Sequence, residues 1–157
     1  MSNTSEKVRK INCILSEAGG LYHKLNVALG LSDSISDILY QIYDNDGCYP
    51  VSSICSELGM PKQTVSSAMK NLEKEGILYL ETYSGRSKRA ILTEKGKQFC
   101  EDTVAHIFRI ENSVFEEFTD SEIEAFISLH EKYNEVISKS IDEYVGGQKW
   151  TRVKNYI

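Results

Sequence analysis

The 157-residue chain is 41% apolar with a formal net charge of −5, which fits one water-soluble globular domain with a core of its own and leaves little chain for a second. No stretch reaches the ~20 apolar residues of a membrane span, and the opening MSNTSEKVRK leads into a helix holding Asn12, Ser16 and Glu17, not a signal-peptide core, so a cytoplasmic protein is expected. A negative chain argues on its face against a nucleic-acid partner, but residues 62–97 hold eight Lys/Arg against four Asp/Glu, a local +4 that leaves −9 for the remainder.

From about Ser5 to Leu29, apolar residues at Ile11, Leu15, Leu21, Leu25 and Leu29 make a helical stripe, interrupted by Gly19 and Gly20, which mark a kink or a close helix approach. Ser32 is placed to cap the next helix, whose buried stripe is Ile35, Ile38, Leu39 and Ile42 and whose end is the turn cluster Asp44, Asn45, Asp46 and Gly47. Tyr49 to Val51 fits a brief edge strand, where Pro50 is tolerated. Ser52 then caps a short helix with Val51, Ile54 and Leu58 on one face and a stop at Gly59.

Pro61 fits a first helical position, Val65, Met69 and Leu72 recur at helical spacing, and Gly76 falls where a C-terminal stop belongs. The opposite face carries Lys62, Gln63, Thr64, Ser66, Ser67, Lys70 and Asn71, short or flexible hydrogen-bonding groups suited to base edges in a major groove. Two strands follow, Ile77 to Glu81 and Lys88 to Leu92, around a basic tip of Tyr83, Ser84, Gly85 and Arg86. Helix, tight turn, second helix and basic hairpin make a winged helix-turn-helix. The candidate DNA contacts are Lys62, Gln63, Thr64, Ser66, Ser67 and Lys70 on the helix and Arg86, Lys88 and Arg89 on the hairpin, with Arg86 reaching a minor groove and Lys88 and Arg89 holding phosphates.

Thr93 caps a long helix in which Phe99, Thr103, Ile107, Ile110, Val114 and Phe118 keep helical spacing. Thr119 and Glu122 form a capping box for the last helix, whose wide apolar face runs from Ile123 and Phe126 to Ile141 and Tyr144 and which Gly146 and Gly147 end. That much apolar stripe exceeds what a small winged helix covers, so pairing with a second copy is the economical answer. The tail QKWTRVKNYI, with Trp150 and Tyr156, packs on the partner subunit or is loose.

Through SICSELGMPKQTVSSAMKNLEKEGIL, GRSKRAILTEKGK and the order of elements around them, the chain resembles the MarR family of bacterial transcription regulators over roughly Leu21 to Tyr144. The resemblance implies a mainly α fold with a small β-wing. The whole chain, 1–157, is then a single MarR-like domain, with a DNA-binding core at 33–92 and dimerisation helices at 5–30 and 93–145. It implies a homodimeric repressor on palindromic operators in double-stranded DNA, released by a small-molecule effector or another signal. Two positions depart from the family pattern: Ser84 stands where relatives usually carry Asp, and Leu80 where many carry a basic residue. The family's ligand cleft would be bordered by Tyr22, His23, Tyr40 and Tyr43, and a peroxide-sensing branch keeps its reactive cysteine in the region of Cys13.

Cys13, Cys48, Cys55 and Cys100 form no Cys-x-x-Cys pair, and His23, His106 and His130 fall on separate helices, so neither a metal site nor a disulfide scaffold is expected. With no Gly-rich phosphate loop, nucleophile elbow or metal motif, an enzyme and a bound cofactor are not expected either. The rival readings are a winged helix that binds protein instead of DNA, and a redox regulator using Cys13.

Overall fold

The computed structural model describes residues 3–146. Within them the chain runs α1 (Asn3–Ala28), α2 (Asp33–Asp44), β1 (Cys48–Pro50), α3 (Val51–Glu57), α4 (Lys62–Lys74), β2 (Leu78–Ser84), β3 (Ser87–Leu92), α5 (Glu94–Asp102), α6 (Val104–Phe115) and α7 (Asp120–Gly146). The chain divides into two units, one ending at Ile110 and one beginning at Glu111. The architecture is mainly helical, with one antiparallel sheet in the order β1-β3-β2. The tail with Trp150 and Tyr156 lies outside the described residues, as does Gly147.

The first unit is organised by the α2 stripe. The Ser32 hydroxyl accepts the Ile35 backbone N–H at 3.4 Å, which starts the helix in the phase that buries Ile38, Leu39 and Ile42 completely. Ile54 of α3, Val65, Met69 and Leu72 of α4, and Leu78, Ala90 and Leu92 of the sheet close the same core. Burying side chains of this size stabilises the fold by roughly 1.5–3 kcal/mol each, and here it clamps α4 by its apolar face.

Two helix starts differ from the sequence reading. β1 passes directly into α3, so Pro50, at φ −64 and ψ 128, occupies the N-cap position without a side-chain bond, and Ser52 sits inside the first turn instead of capping it. Pro61 stands at the N-cap of α4, one residue before the expected position, its carbonyl accepting the Val65 N–H at 3.2 Å. The hairpin is longer than expected. Thr82 and Tyr83 are good strand formers, and the ladder continues to Ser84 opposite Ser87, with an irregularity between Thr82 and Ser84. Only Gly85, at φ 54, and Arg86 remain as the turn.

The long helix expected after Thr93 is two helices. At Thr103 the backbone turns to φ −131 and ψ −80, the hydroxyl donates to the Phe99 carbonyl at 2.6 Å, and the N–H goes to Cys100 at 3.2 Å. The side chain thereby takes the carbonyl that a continuing helix would give to the backbone, and α6 restarts in a new phase. α1, by contrast, runs unbroken through Gly19 and Gly20, and a Cβ on either would meet nothing within 4 Å.

In the second unit the capping box forms as read. The Thr119 N–H donates to Glu122 Oε2 at 2.9 Å, the Glu122 N–H to Thr119 Oγ1 at 3.4 Å, and the first of these holds the Glu122 carboxyl below its ordinary range. No residue of α7 is buried, although Phe126, Ile127, Leu129, Val136, Ile137 and Ile141 all lie on it.

Candidate nucleic-acid interface

The burial of Val65, Ala68, Met69 and Leu72 turns Lys62, Gln63, Thr64, Ser66, Ser67, Lys70 and Asn71 outward, every one of them exposed. Two hollows flank this face. One, of about 620 Å³, lies between the start of α2 (Ser32, Ser34) and Gln63, Thr64, Ser67 and Asn71. The other, of about 600 Å³, separates α4 from the wing. Lys62, Ser66 and Lys70 stand on one side and Arg86, Ser87 and Lys88 on the other, with Met69 and Leu80 between them and Val51, Ser52 and Cys55 at the α3 edge. Four cations thus face one cleft against a single carboxylate, Glu73, whose Oε1 accepts the Leu80 N–H at 3.4 Å. Leu80 is therefore part of the cleft wall.

Charge counted along the sequence and charge available in space are different quantities here. Arg89 is opposite Glu81 in the ladder; its Nε donates to Glu81 Oε2 at 2.6 Å and its guanidinium lies 5.9 Å from the Tyr83 ring centre. The Glu81 carboxylate raises the Arg89 pKa further. Lys95 Nζ donates to the Glu75 carbonyl at 2.5 Å and Lys97 pairs with Glu94 at 2.7 Å. Of the eight cations between residues 62 and 97, Lys62, Lys70, Lys74, Arg86 and Lys88 are left without an ion-pair or hydrogen-bond partner. Arg86 projects from the two-residue turn with no brace from Ser84, which pairs with Ser87 in the ladder.

The aromatic candidates for a ligand site separate into two places. Tyr40 stacks on Phe108 with ring centres 4.0 Å apart, and Tyr43 tilts against the same ring at 5.6 Å. The Tyr43 hydroxyl donates to Glu101 at 2.6 Å, which pushes its pKa up. A hollow of about 500 Å³ beside them is lined by Tyr43, Asp44, Asp46, Glu101 and Phe108. His23 goes elsewhere. Its Nδ1 is 2.9 Å from Asp33 Oδ2, and Asn26 Nδ2 donates to Asp33 Oδ1 at 3.0 Å; Asn26 first and His23 second hold the Asp33 carboxyl below its usual range. Tyr22 is exposed on α1. Phe108 escaped the sequence reading because a continuous helix points Ile107 and Ile110 inward, and only the break at Thr103 brings Phe108 round to α2. Asn26, in the last turn of α1, and Asp33, at the start of α2, carried no sequence signal beyond those places.

Among the described residues no group of His, Cys, Asp and Glu is arranged to hold a metal ion, and no helix is long and apolar enough to cross a membrane. Cys13 is exposed on α1, Cys48 and Cys55 are half-buried, and Cys100 is buried, its thiol pushed up to about 12 by burial and then by Glu101.

Helix, turn, polar helix and basic hairpin define a winged helix-turn-helix protein. Residues 29–90 match the model of the MarR family. No curated protein matches the chain. Among solved structures it is similar to a MarR family regulator from Neisseria meningitidis at 23% identity and a TM-score of 0.75, covering 92% of this chain and 99% of that one. A MarR family regulator from Listeria monocytogenes in complex with 26mer DNA matches at 23% identity and a TM-score of 0.67, over 92% and 97% of the two chains. The PcaV regulator from Streptomyces coelicolor, in complex with its natural ligand, matches at 14% identity and a TM-score of 0.60, over 78% and 89%. The fold is that of MarR-family transcription regulators.

Proposed function

We propose that the protein is a homodimeric, sequence-specific DNA-binding transcription regulator, a repressor on palindromic operators in the cytoplasm, released by a small ligand. The observation that carries this reading is the cleft between α4 and the wing, where Lys62, Lys70, Arg86 and Lys88 stand together without counter-charges of their own. In a duplex complex α4 lies in the major groove, with Gln63, Thr64, Ser66 and Ser67 toward base edges or the nearest phosphates. The sugar-phosphate strand passes through the cleft, and Arg86 enters the adjacent minor groove. The DNA complex of the Listeria regulator supports a nucleic-acid partner for this fold, and the ligand complex of the Streptomyces regulator supports an effector.

Dimerisation is supported by the large apolar side chains left exposed on α1 (Ile11, Ile14, Leu21) and α7 (Ile127, Leu129, Ile141). A two-fold pair then sets two α4 helices about 34 Å apart, in successive major grooves. A winged helix that docks on protein would present an apolar or acidic outer face on α4, whereas this one is polar and basic. Fluorescence anisotropy with sheared genomic DNA in a salt series tests the reading: binding must weaken steeply with salt, and a salt-indifferent or monomeric complex refutes it.

A further inference from the structure

We infer that Thr93, Lys95 and Gly96 are positioning residues for DNA recognition: the first turn of α5 grips the end of α4 and sets the angle at which α4 meets the groove. The inference rests on the DNA-binding reading above and concerns how that site is held.

The last carbonyls of α4 are closed by the chain that follows: Asn71 accepts the Glu75 N–H, Leu72 the Ile77 N–H and Glu73 the Gly76 N–H. Where α4 stops, Gly76 adopts φ 68 and the chain turns into β2. The next three carbonyls, of Glu75, Gly76 and Ile77 in the segment leaving α4, all accept from Thr93 or Lys95 at the start of α5. Lys95 Nζ donates to the Glu75 carbonyl at 2.5 Å, the Thr93 hydroxyl to the Gly76 carbonyl at 2.6 Å, and the Thr93 N–H to the Ile77 carbonyl at 3.0 Å. The same hydroxyl accepts the Gly96 N–H at 3.0 Å, so one oxygen both caps α5 and ties it to the segment that leaves α4. Gly96 allows the approach: a Cβ there would stand 1.9 Å from the Ile77 carbonyl oxygen, inside any contact that atoms tolerate.

The far end of α5 is pinned as well. Glu101 accepts the Tyr43 hydroxyl of α2 at 2.6 Å and lies 3.8 Å from Arg109 of α6, across the break at Thr103. α5 is thus a short strut, roughly 14 Å at the usual helical rise, with polar attachments at both ends. Base-edge hydrogen bonds require their donors within a few tenths of an ångström, whereas lysines on flexible stems follow a phosphate through larger shifts. Loosening the grip must therefore damage specific binding more than nonspecific binding.

The experiment uses the full chain. Wild-type protein first selects its preferred duplex from a random 26-base-pair pool, and Kd is then measured on the selected duplex and on the unselected pool. Thr93→Val and Lys95→Met should lose about five- to tenfold on the selected duplex and less than about twofold on the pool. Thr93→Ser, which keeps the hydroxyl, should restore the wild-type ratio. Gly96→Ala is the severest probe but threatens folding, so the exposed Lys95, whose loss leaves the backbone and the α5 cap intact, is the deciding position. A mere loss of stability, or of one positive charge, lowers both affinities together and leaves the ratio unchanged, and an unchanged ratio overturns the inference. Failure of wild type to enrich any duplex is a separate result, which removes the DNA-binding reading and the inference with it.

Discussion

Lys88 and Arg89 are adjacent in sequence and alike in charge, yet the structure predicts that only one of them holds DNA. Lys88 lines the cleft, whereas Arg89 is occupied by Glu81 and lies by Tyr83. Four unpaired cations face the cleft in each subunit, so a bound dimer neutralises roughly eight phosphates and log Kobs should fall with log salt with a slope of about −7. Between 50 and 200 mM salt that is a loss of ~10⁴-fold in affinity. Lys88→Ala removes one contact per subunit and should reduce the steepness by roughly 2. The matching control for Arg89 is the double replacement Glu81→Gln with Arg89→Gln, which deletes the pair without altering net charge and should leave the slope where it was. Anisotropy titrations of a labelled 26-base-pair duplex at five or so salt concentrations measure all three slopes. If the double variant flattens the slope as much as Lys88→Ala, Arg89 leaves Glu81 for phosphate and the charge accounting is wrong; a wild-type slope of about −2 or less would show that the cleft does not hold the strand.

Arg86→Ala should weaken binding most on duplexes whose flanks have narrow A·T-rich minor grooves, and equal affinity to wild type on every duplex would take the wing tip out of the mechanism. Ile38→Ala, at a fully buried position of α2, should cost about 2–5 kcal/mol in a urea titration, and a loss below ~1 kcal/mol would mean that the α2 stripe is not the centre of the core. Replacing both Ile137 and Ile141 of α7 by Glu should yield a monomer in light scattering with DNA affinity largely lost, since both side chains are exposed in the single chain and proposed to be covered in the dimer. The Cys100 thiol, pushed up to about 12, should resist alkylation at pH 8 until the protein is unfolded. A stoichiometric organic hydroperoxide should leave both wild type and Cys13→Ser on DNA, because no hydrogen bond to Cys13 is formed among the described residues; release of wild type alone would make Cys13 a sensor.

Local rules carried most of the architecture because its decisive points are local. The Ser32 cap, the Thr119 and Glu122 box, the left-handed stops at Gly59 and Gly76, and the stripes of α2 and α4 each depend on residues within one or two turns. The failures came where a side chain competes with the backbone or where pairing in space decides. Thr103 has the spacing of a stripe residue, and nothing in its neighbours tells that its hydroxyl will claim the Phe99 carbonyl and end α5. Once that break is missed, Phe108 is assigned to the wrong face and the Tyr40 and Tyr43 contacts are invisible. The pairing of Arg89 with Glu81 was out of reach for the second reason: it follows from strand register, which the sequence leaves open by a residue or two at a hairpin whose turn was read too long.

The same pairing explains how a chain of net charge −5 can present a DNA-binding face at all. The proposed dimer would carry twice that charge, so at long range duplex DNA would repel it, and attraction would act within about one Debye length, ~8 Å at physiological salt, of the unpaired cations. Arg89 and Lys97 are paired with carboxylates, Glu81 and Glu94, whereas Lys62, Lys70, Arg86 and Lys88 concentrate unpaired charge at the cleft. An approach that turns the cleft toward the phosphates would be the favoured one, and it would bring α4 to face the groove. Once the field has chosen the orientation, the reading residues need not be charged. Gln63, Thr64, Ser66 and Ser67, neutral and exposed between Lys62 and Lys70, suit that division: cations at the edges of the helix would hold the strands, and short hydrogen-bonding groups at its centre would discriminate among bases.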